Sequence, residues 1–558
     1  VTEPSKSTAA SELVVAARRY GTWGLVGAVV LVHLVIAAQS VGPMYLFDEV
    51  GYLAGAHVIA GHGLDWSLCG SSYSVGYSAA LAPLWWLPIE PVTLYQVAAY
   101  VSAAIGAAVM WPASALARRL GATRGMALAI GALVSLVPTR ALLDNYVIAE
   151  NPLTLLVACS TVLAWRIAEE GRLRDAVAFG VTTGLAVAVH ARAIPLVVVA
   201  VVWVLVRWAV RASSARAAAA TAVPALVISV AGFIAQQAMG STIFTSDDRV
   251  GDLIGGVTPV GIAQVVLGQG FTQVVSWSLL TVLGILACAA HARRALRSHG
   301  RLGLASAWWW LGTMAVAQAA FFVAVLAASS DLGTRFDVPL FGRYLDPFVV
   351  PVAVLGATTL WTRASRRLTT IALIVSIAAL AGYGTLVLPH ISPDAKWIPF
   401  AVPGLEPFLS PTVGDDRLGL AIAGTVALVG CVLLWLSRGW AKVGIAAALL
   451  VATTVTLMTD AVRVDPFESG VRARSTVVGY IAANPGQPVT FAADLLPCVD
   501  RNKLQFELAD VATVVPANGD YGDGLVVGPG DWPEAEAQGR IRVPLTRWQS
   551  SAVWTAPQ

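Results

Sequence analysis

Residues 22–49 read TWGLVGAVVLVHLVIAAQSVGPMYLFDE, an apolar run that closes on two adjacent acids, Asp48 and Glu49. A helix of that length crosses a hydrocarbon core about 30 Å thick and delivers its closing carboxylates to the membrane surface. Hydrocarbon offers backbone groups no partner, so the run must satisfy them internally as a helix. Arg18 and Arg19 precede it in the manner of a signal peptide, but the charge alternation described next requires the segment to be retained.

Further runs of this kind place spans near 92–114, 125–139, 147–165, 175–190, 194–210, 218–239, 272–290, 304–328, 348–362, 369–388, 418–436 and 443–459, thirteen with the first. The composition agrees. Of 558 residues, 57% are hydrophobic and 12% charged, against about 25% charged in a soluble domain. Short loops orient such a chain by their lysines and arginines. With the N-terminus inside, 21 basic residues fall in inside segments and seven in outside loops up to residue 460, where 16 acids lie against five inside. One alternation explains the whole pattern. The net charge of +3, scattered through short loops, argues against a nucleic-acid partner.

An odd number of crossings leaves everything after about Asp460 outside, where composition turns to that of a soluble domain. The expected architecture is an α-helical polytopic membrane domain, residues 1–460, followed by a small extracytoplasmic α/β domain, 461–558. In the latter, Ser475 to Ala483 reads as helix and Pro488 to Ala492, Val511 to Val515 and Leu525 to Val527 as strands. Cys69 and Cys498 both fall in outside segments, where a disulfide can persist.

The chemistry concentrates at the outer ends of spans. After Asp48 and Glu49, residues 50–60 carry Leu53, Ala56 and Ile59 at helical spacing, which predicts a helix along the interface, with His57 on it. Asp48 and Glu49 suit the capping of that helix as well as catalysis. Tyr73-Ser74-Val75-Gly76-Tyr77 then runs into Leu81-Ala82-Pro83, a turn back to the bilayer. Arg140, Asp144 and Glu150 cluster at the outer start of the fourth span, and His190 and Arg192 break two apolar runs. An ionisable residue at that depth is costly and therefore a functional candidate, although capping and turn geometry also account for these residues. Arg343-Tyr344-Leu345-Asp346-Pro347 opens the tenth span. Its guanidinium can snorkel to head groups or grip a phosphate through paired hydrogen bonds.

The Asp-Glu pair after the first span, the Tyr-x-x-Gly-Tyr followed by Leu-Ala-Pro, and the Arg-Tyr-x-x-Pro opening a late span resemble the GT-C superfamily of membrane glycosyltransferases. Thirteen spans with an extracytoplasmic tail are similar to its protein O-mannosyltransferase and aminoarabinose-transferase branch. The resemblance implies an inverting glycosyltransferase that moves a sugar from a polyprenyl-phosphate donor to an acceptor at the outer face. It implies Asp48 as the catalytic acid residue, with Glu49 as a second acid or a metal-facing group. Arg343, Tyr344, Arg192 and His190 are the candidates to bind the donor phosphate. Asp144, Glu150, His57, Tyr73 and Tyr77 are further pocket candidates. A divalent cation (Mg, Mn or Ca) is implied by the superfamily, with no ligand set readable here. Neither the Trp-Trp-Asp signature of oligosaccharyltransferases nor the loop motifs of protein O-mannosyltransferases is present, which favours a cell-envelope glycan or glycolipid as acceptor. Arginine exceeds lysine 32 to 4, which suggests a high-GC bacterial genome and, with the resemblance, a multi-pass actinobacterial plasma-membrane protein with its N-terminus cytoplasmic. Trp532, Trp548 and Trp554 can stack on sugars or simply pack. A transporter or lipid-glycan flippase would carry ionisable residues at mid-membrane in repeated halves, which are not seen. An envelope glycan ligase or polymerase would also work at the outer face with arginines.

Overall fold

The computed structural model describes residues 6–44, 46–63, 66–70, 73–244, 257–329, 338–362, 366–391, 416–437, 475–515, 520–544 and 549–556. The chain is a multi-pass helical membrane protein with a small C-terminal sheet. Among the described residues, eight helices are long and apolar enough to cross a membrane, or ten if each of two sharply bent pairs forms one span. The expected span 22–42 falls on helix Lys6–Ala37, and 175–190 on the shorter helix Leu173–Val189. The expected span 443–459 lies outside the described residues, as do the 460/461 boundary and Trp548.

One expected span is not a single helix. Helix Pro259–Trp277 stops at Ser278, whose φ is 51°, and helix Leu280–His299 leaves at 104° to it. Hydropathy hides such a break, because both arms and the residues between them are apolar and no glycine or proline marks the corner. The buried Trp277 and Leu279 on either side anchor it.

Two spans show how burial sorts the bundle. On helix Ala215–Ile243, Val223, Val227, Val230 and Ile234 are 57%, 60%, 55% and 62% exposed. They form a stripe at helical spacing that would be ruinous in water and is ordinary against lipid. In the Val338–Thr362 segment, by contrast, 89% of an 18-residue apolar window is buried, at the centre of the bundle, and its N-terminal end carries Arg343 and Tyr344.

The segment after the first helix holds helix Asp48–Ile59 and helix Val75–Leu81, packed on each other. Gly51 makes their approach possible, since a Cβ there would lie 2.5 Å from the Tyr73 ring. Gly76 likewise lets the second helix touch the backbone of Ala188, beside His190.

The C-terminal unit begins with helix Thr476–Ala483, capped by the Ser475 hydroxyl, which accepts from Val478 N–H. Strands β1 (Val489–Ala492), β2 (Ala512–Val515), β3 (Leu525–Pro529), β4 (Ile541–Arg542) and β5 (Ser551–Thr555) form one sheet in the order β2-β1-β3-β5-β4. β1 runs parallel to β2 and β3, whereas β5 pairs antiparallel with β3 and β4. The expected helix and three strands are all found. Trp532 and Trp554 pack edge to face inside this unit, both buried, so they serve its core.

Helix Cys498–Glu507 docks this unit on the segment after the first helix. Cys498 is disulfide-bonded to Cys69 across 429 residues. The Asn502 side chain accepts from Cys69 N–H at 3.0 Å and donates to Cys69 C=O at 3.1 Å, while Gln505 does the same for Ser67 at 2.8 Å each way. Phe506 meets Trp85 and Tyr95 edge-on.

Candidate functional site

Asp48 opens its helix, yet its carboxylate caps no amide of that helix. One oxygen accepts from the Tyr73 hydroxyl at 2.7 Å and the other from the Arg343 guanidinium at 2.9 Å. Burial alone would push the pKa of this group up, but Arg343, Tyr73 and Arg192 together outweigh burial and hold the carboxyl below the usual carboxylate range. Its side chain remains 25% exposed, against 6% for Arg343, so the acid and not the arginine meets the solvent.

A second guanidinium joins it. Arg192 lies 3.2 Å from the centroid of the Tyr344 ring, a cation–π stack, and reaches Glu150 at 3.4 Å. Arg343 lies 5.3 Å from the same ring. His190 accepts from Arg192 N–H at 3.2 Å. Ser74 accepts from Ala191 N–H and Gln318 donates to Arg192 C=O, fixing the turn that presents Arg192. Tyr52 lies between Tyr73 and Tyr77, at 5.0 and 5.3 Å between ring centroids, and walls the site with aromatic surface.

Of the residues singled out in the sequence, the structure thus gathers Asp48, Tyr73, Arg343, Tyr344, Arg192, Glu150 and His190, with Tyr77 behind Tyr52. Three others bond elsewhere. Glu49 is fully buried and accepts from Tyr95 O–H at 2.5 Å, Val147 N–H at 2.6 Å and Met44 N–H at 2.7 Å. Asp144 pairs with His33 of the first helix and accepts from Asn151 at 2.9 Å, whose own oxygen accepts from Arg140 at 2.9 Å. His57 faces Asp510 of the C-terminal unit. Among the described residues, His57, His62 and Asp510 are the one group of three such side chains whose ligand atoms converge, and Asp48 is not in it.

Tyr95, His33 and Asn151 were not anticipated. A histidine inside the first apolar run was a readable signal of an intramembrane partner, whereas nothing marked Tyr95 or Asn151 locally.

No family model matches the sequence, and no curated protein matches it. Solved structures do. ArnT from Cupriavidus metallidurans in the apo state aligns with a TM-score of 0.56 at 17% identity, covering 97% of this chain and 100% of that one. The same protein bound to undecaprenyl phosphate aligns with a TM-score of 0.56 at 18% identity, covering 96% and 99%. The Archaeoglobus fulgidus oligosaccharyltransferase aligns with a TM-score of 0.44 at 12% identity, covering 97% and 74%, too distant for any argument below. The chain shares the fold of ArnT over nearly its whole length.

Proposed function

We propose that this protein is an inverting glycosyltransferase that moves a sugar from a polyprenyl-phosphate donor to a cell-envelope glycan or glycolipid at the outer membrane face. The transmembrane part, 1–460, holds the reaction centre, and 461–558 lies outside the membrane with it. The observation that carries this reading is a partly exposed carboxylate, Asp48, set between a tyrosine hydroxyl and one of two adjacent guanidiniums.

Inverting displacement needs a base for the acceptor hydroxyl and a sink for the leaving phosphate. Asp48 takes the acceptor proton as the new C–O bond forms at the anomeric carbon. The bond from that carbon to the phosphate oxygen breaks, and its electron pair goes to the lipid phosphate. Arg343 and Arg192 face that charge, with Tyr344 ordering both. Arg343 has two uses in sequence. Without donor it neutralises Asp48, and an arriving phosphate competes for it. Asp48 then loses a hydrogen bond and a positive neighbour, so its basicity rises when a substrate is present to use it.

Glu49 serves this reading as a brace, not as a second base, because its carboxylate is filled by three protein donors. Among the described residues, no group of three ligating side chains converges beside Asp48 for the divalent cation expected of the superfamily, and no step is routed through one.

The test is Asp48→Asn in nanodiscs beside wild type, with a panel of radiolabelled polyprenyl-phosphate sugars and envelope acceptors. Loss of about a hundredfold or more in transfer is expected, the scale of a missing general base. A folded Asp48→Asn protein that transfers nearly as well as wild type removes Asp48 from the role. Wild type that consumes no donor but moves lipid-linked glycan across vesicles returns a transporter.

A further inference from the structure

The contact between the C-terminal unit and the interfacial helix contains a group that the transfer chemistry does not use. His57 Nε2 lies 2.8 Å and His62 Nδ1 3.2 Å from the same Asp510 carboxylate oxygen, and all three ligand atoms fall within 4.8 Å of one another. The two imidazole rings are 4.6 Å apart. We propose that His57, His62 and Asp510 bind a zinc ion that clamps the C-terminal unit onto the helix whose first residue is Asp48.

His62 Nε2 lies 3.2 Å from the Trp85 carbonyl oxygen, an acceptor, while its Nδ1 faces the Asp510 carboxylate, where a cation can sit. The Trp85 carbonyl becomes the outer hydrogen-bond partner that zinc-bound histidines ordinarily have, fixing tautomer and ring orientation. Tetrahedral zinc with bonds near 2.0 Å separates its ligand atoms by about 3.3 Å, to be compared with the 2.8 and 3.2 Å from the two imidazole nitrogens to the Asp510 oxygen.

The donor set selects the metal. Two imidazole nitrogens and one carboxylate suit zinc, whereas calcium and magnesium prefer oxygen throughout. Asp510 adds an independent sign. Its φ of 66° is left-handed, a conformation unusual for a residue with a side chain, and it is this turn after helix Cys498–Glu507 that aims the carboxylate at the histidines.

A cavity of about 200 Å³, lined by His57, Trp66, Phe491, Gln505 and Asp510, opens beside the group and has room for a water as fourth ligand. Trp66 N–H now reaches His57 Nδ1 at 3.2 Å. With zinc on Nε2, that nitrogen carries the proton, so the indole must turn toward this cavity. His57 stands nine positions along the helix from Asp48, about 13 Å at 1.5 Å per residue, which makes the ion a clamp and not a participant in transfer.

The test reads metal, not activity, and is independent of the transferase reading. Full-length protein in detergent is stripped with chelator, desalted and titrated with zinc chloride. Bound metal is measured by plasma mass spectrometry and the melting temperature recorded. Wild type is expected to retain one zinc per chain and to melt several degrees higher with it. His62→Ala and Asp510→Asn should lose the metal and the shift. An intact Cys69–Cys498 bond, read by non-reducing gel mobility, checks that these variants fold. Wild type that retains no zinc, a His62→Ala/Asp510→Asn double variant that still holds it, or calcium binding in its place overturns the proposal.

Discussion

Asp48 shows how three residues far apart in sequence make one group with properties none has alone. Tyr73 reaches it because Gly51 leaves room for the ring, and Arg343 reaches it from a span almost three hundred positions later. The pH consequence has a definite sign. A carboxyl depressed in the folded state contributes stability that is fully present above its unfolded value, about 3.9, and that disappears as pH falls through the lower folded value. Tyr73→Phe removes one donor to the charged form, so the acid limb of the donor-free enzyme's kcat/KM profile should move to higher pH. The acid-unfolding midpoint should move the same way. An acid limb that stays in place would show that Tyr73 does not tune Asp48. Gly51→Ala should mimic this variant by displacing the ring, with a similar shift of the limb. The acid pair was visible in the sequence as a pair. That its two members face different partners was not, because successive side chains on a helix point about 100° apart and the chain elsewhere decides what each one meets.

Among the elements, the interfacial helix is held in place by Glu49. Its three bonds tie the helix to the segment before it, to the second span through Tyr95, and to the turn before the fourth span through Val147. Glu49→Ala leaves two backbone N–H groups and a tyrosine hydroxyl buried without this acceptor, each worth about 1–3 kcal/mol. The variant should therefore melt many degrees below wild type in detergent, or fail to accumulate. Asp48→Asn, by contrast, should melt within a few degrees of wild type while losing transfer. Equal melting of Glu49→Ala and wild type would contradict the bracing role. The sharp bend between helices Pro259–Trp277 and Leu280–His299 belongs to this scale too. Periodicity and apolarity report how a segment meets its solvent, and both arms of the bend are apolar. Direction is set by what each arm packs against, here Val352 under Gly284 and Pro339 under Gly268, which no local pattern encodes.

For the whole molecule, the disulfide and the charge alternation converge on one topology. A Cys69–Cys498 bond persists where thiols are oxidised, which supports both segments lying outside the cytoplasm. Alkaline phosphatase fused after the C-terminal unit should be active and a fluorescent protein fused there dark, with the reverse at the N-terminus. An active phosphatase at the N-terminus would invert the topology. Reduction, or Cys498→Ser, should loosen the C-terminal unit by about 2–5 kcal/mol and slow the migration of unreduced protein on gels. The sequence by itself determined the apolar character of the helical segments, the helix and strands of the tail, and the residue types gathered at the ends of spans. These are local properties, carried by hydropathy, charge and spacing. Only the tertiary structure decided which acid meets Arg343, which is sealed under Tyr95, and which histidines face Asp510. Those pairings join residues separated by tens to hundreds of positions, and their energies depend on burial and approach, which exist only once the helices have packed.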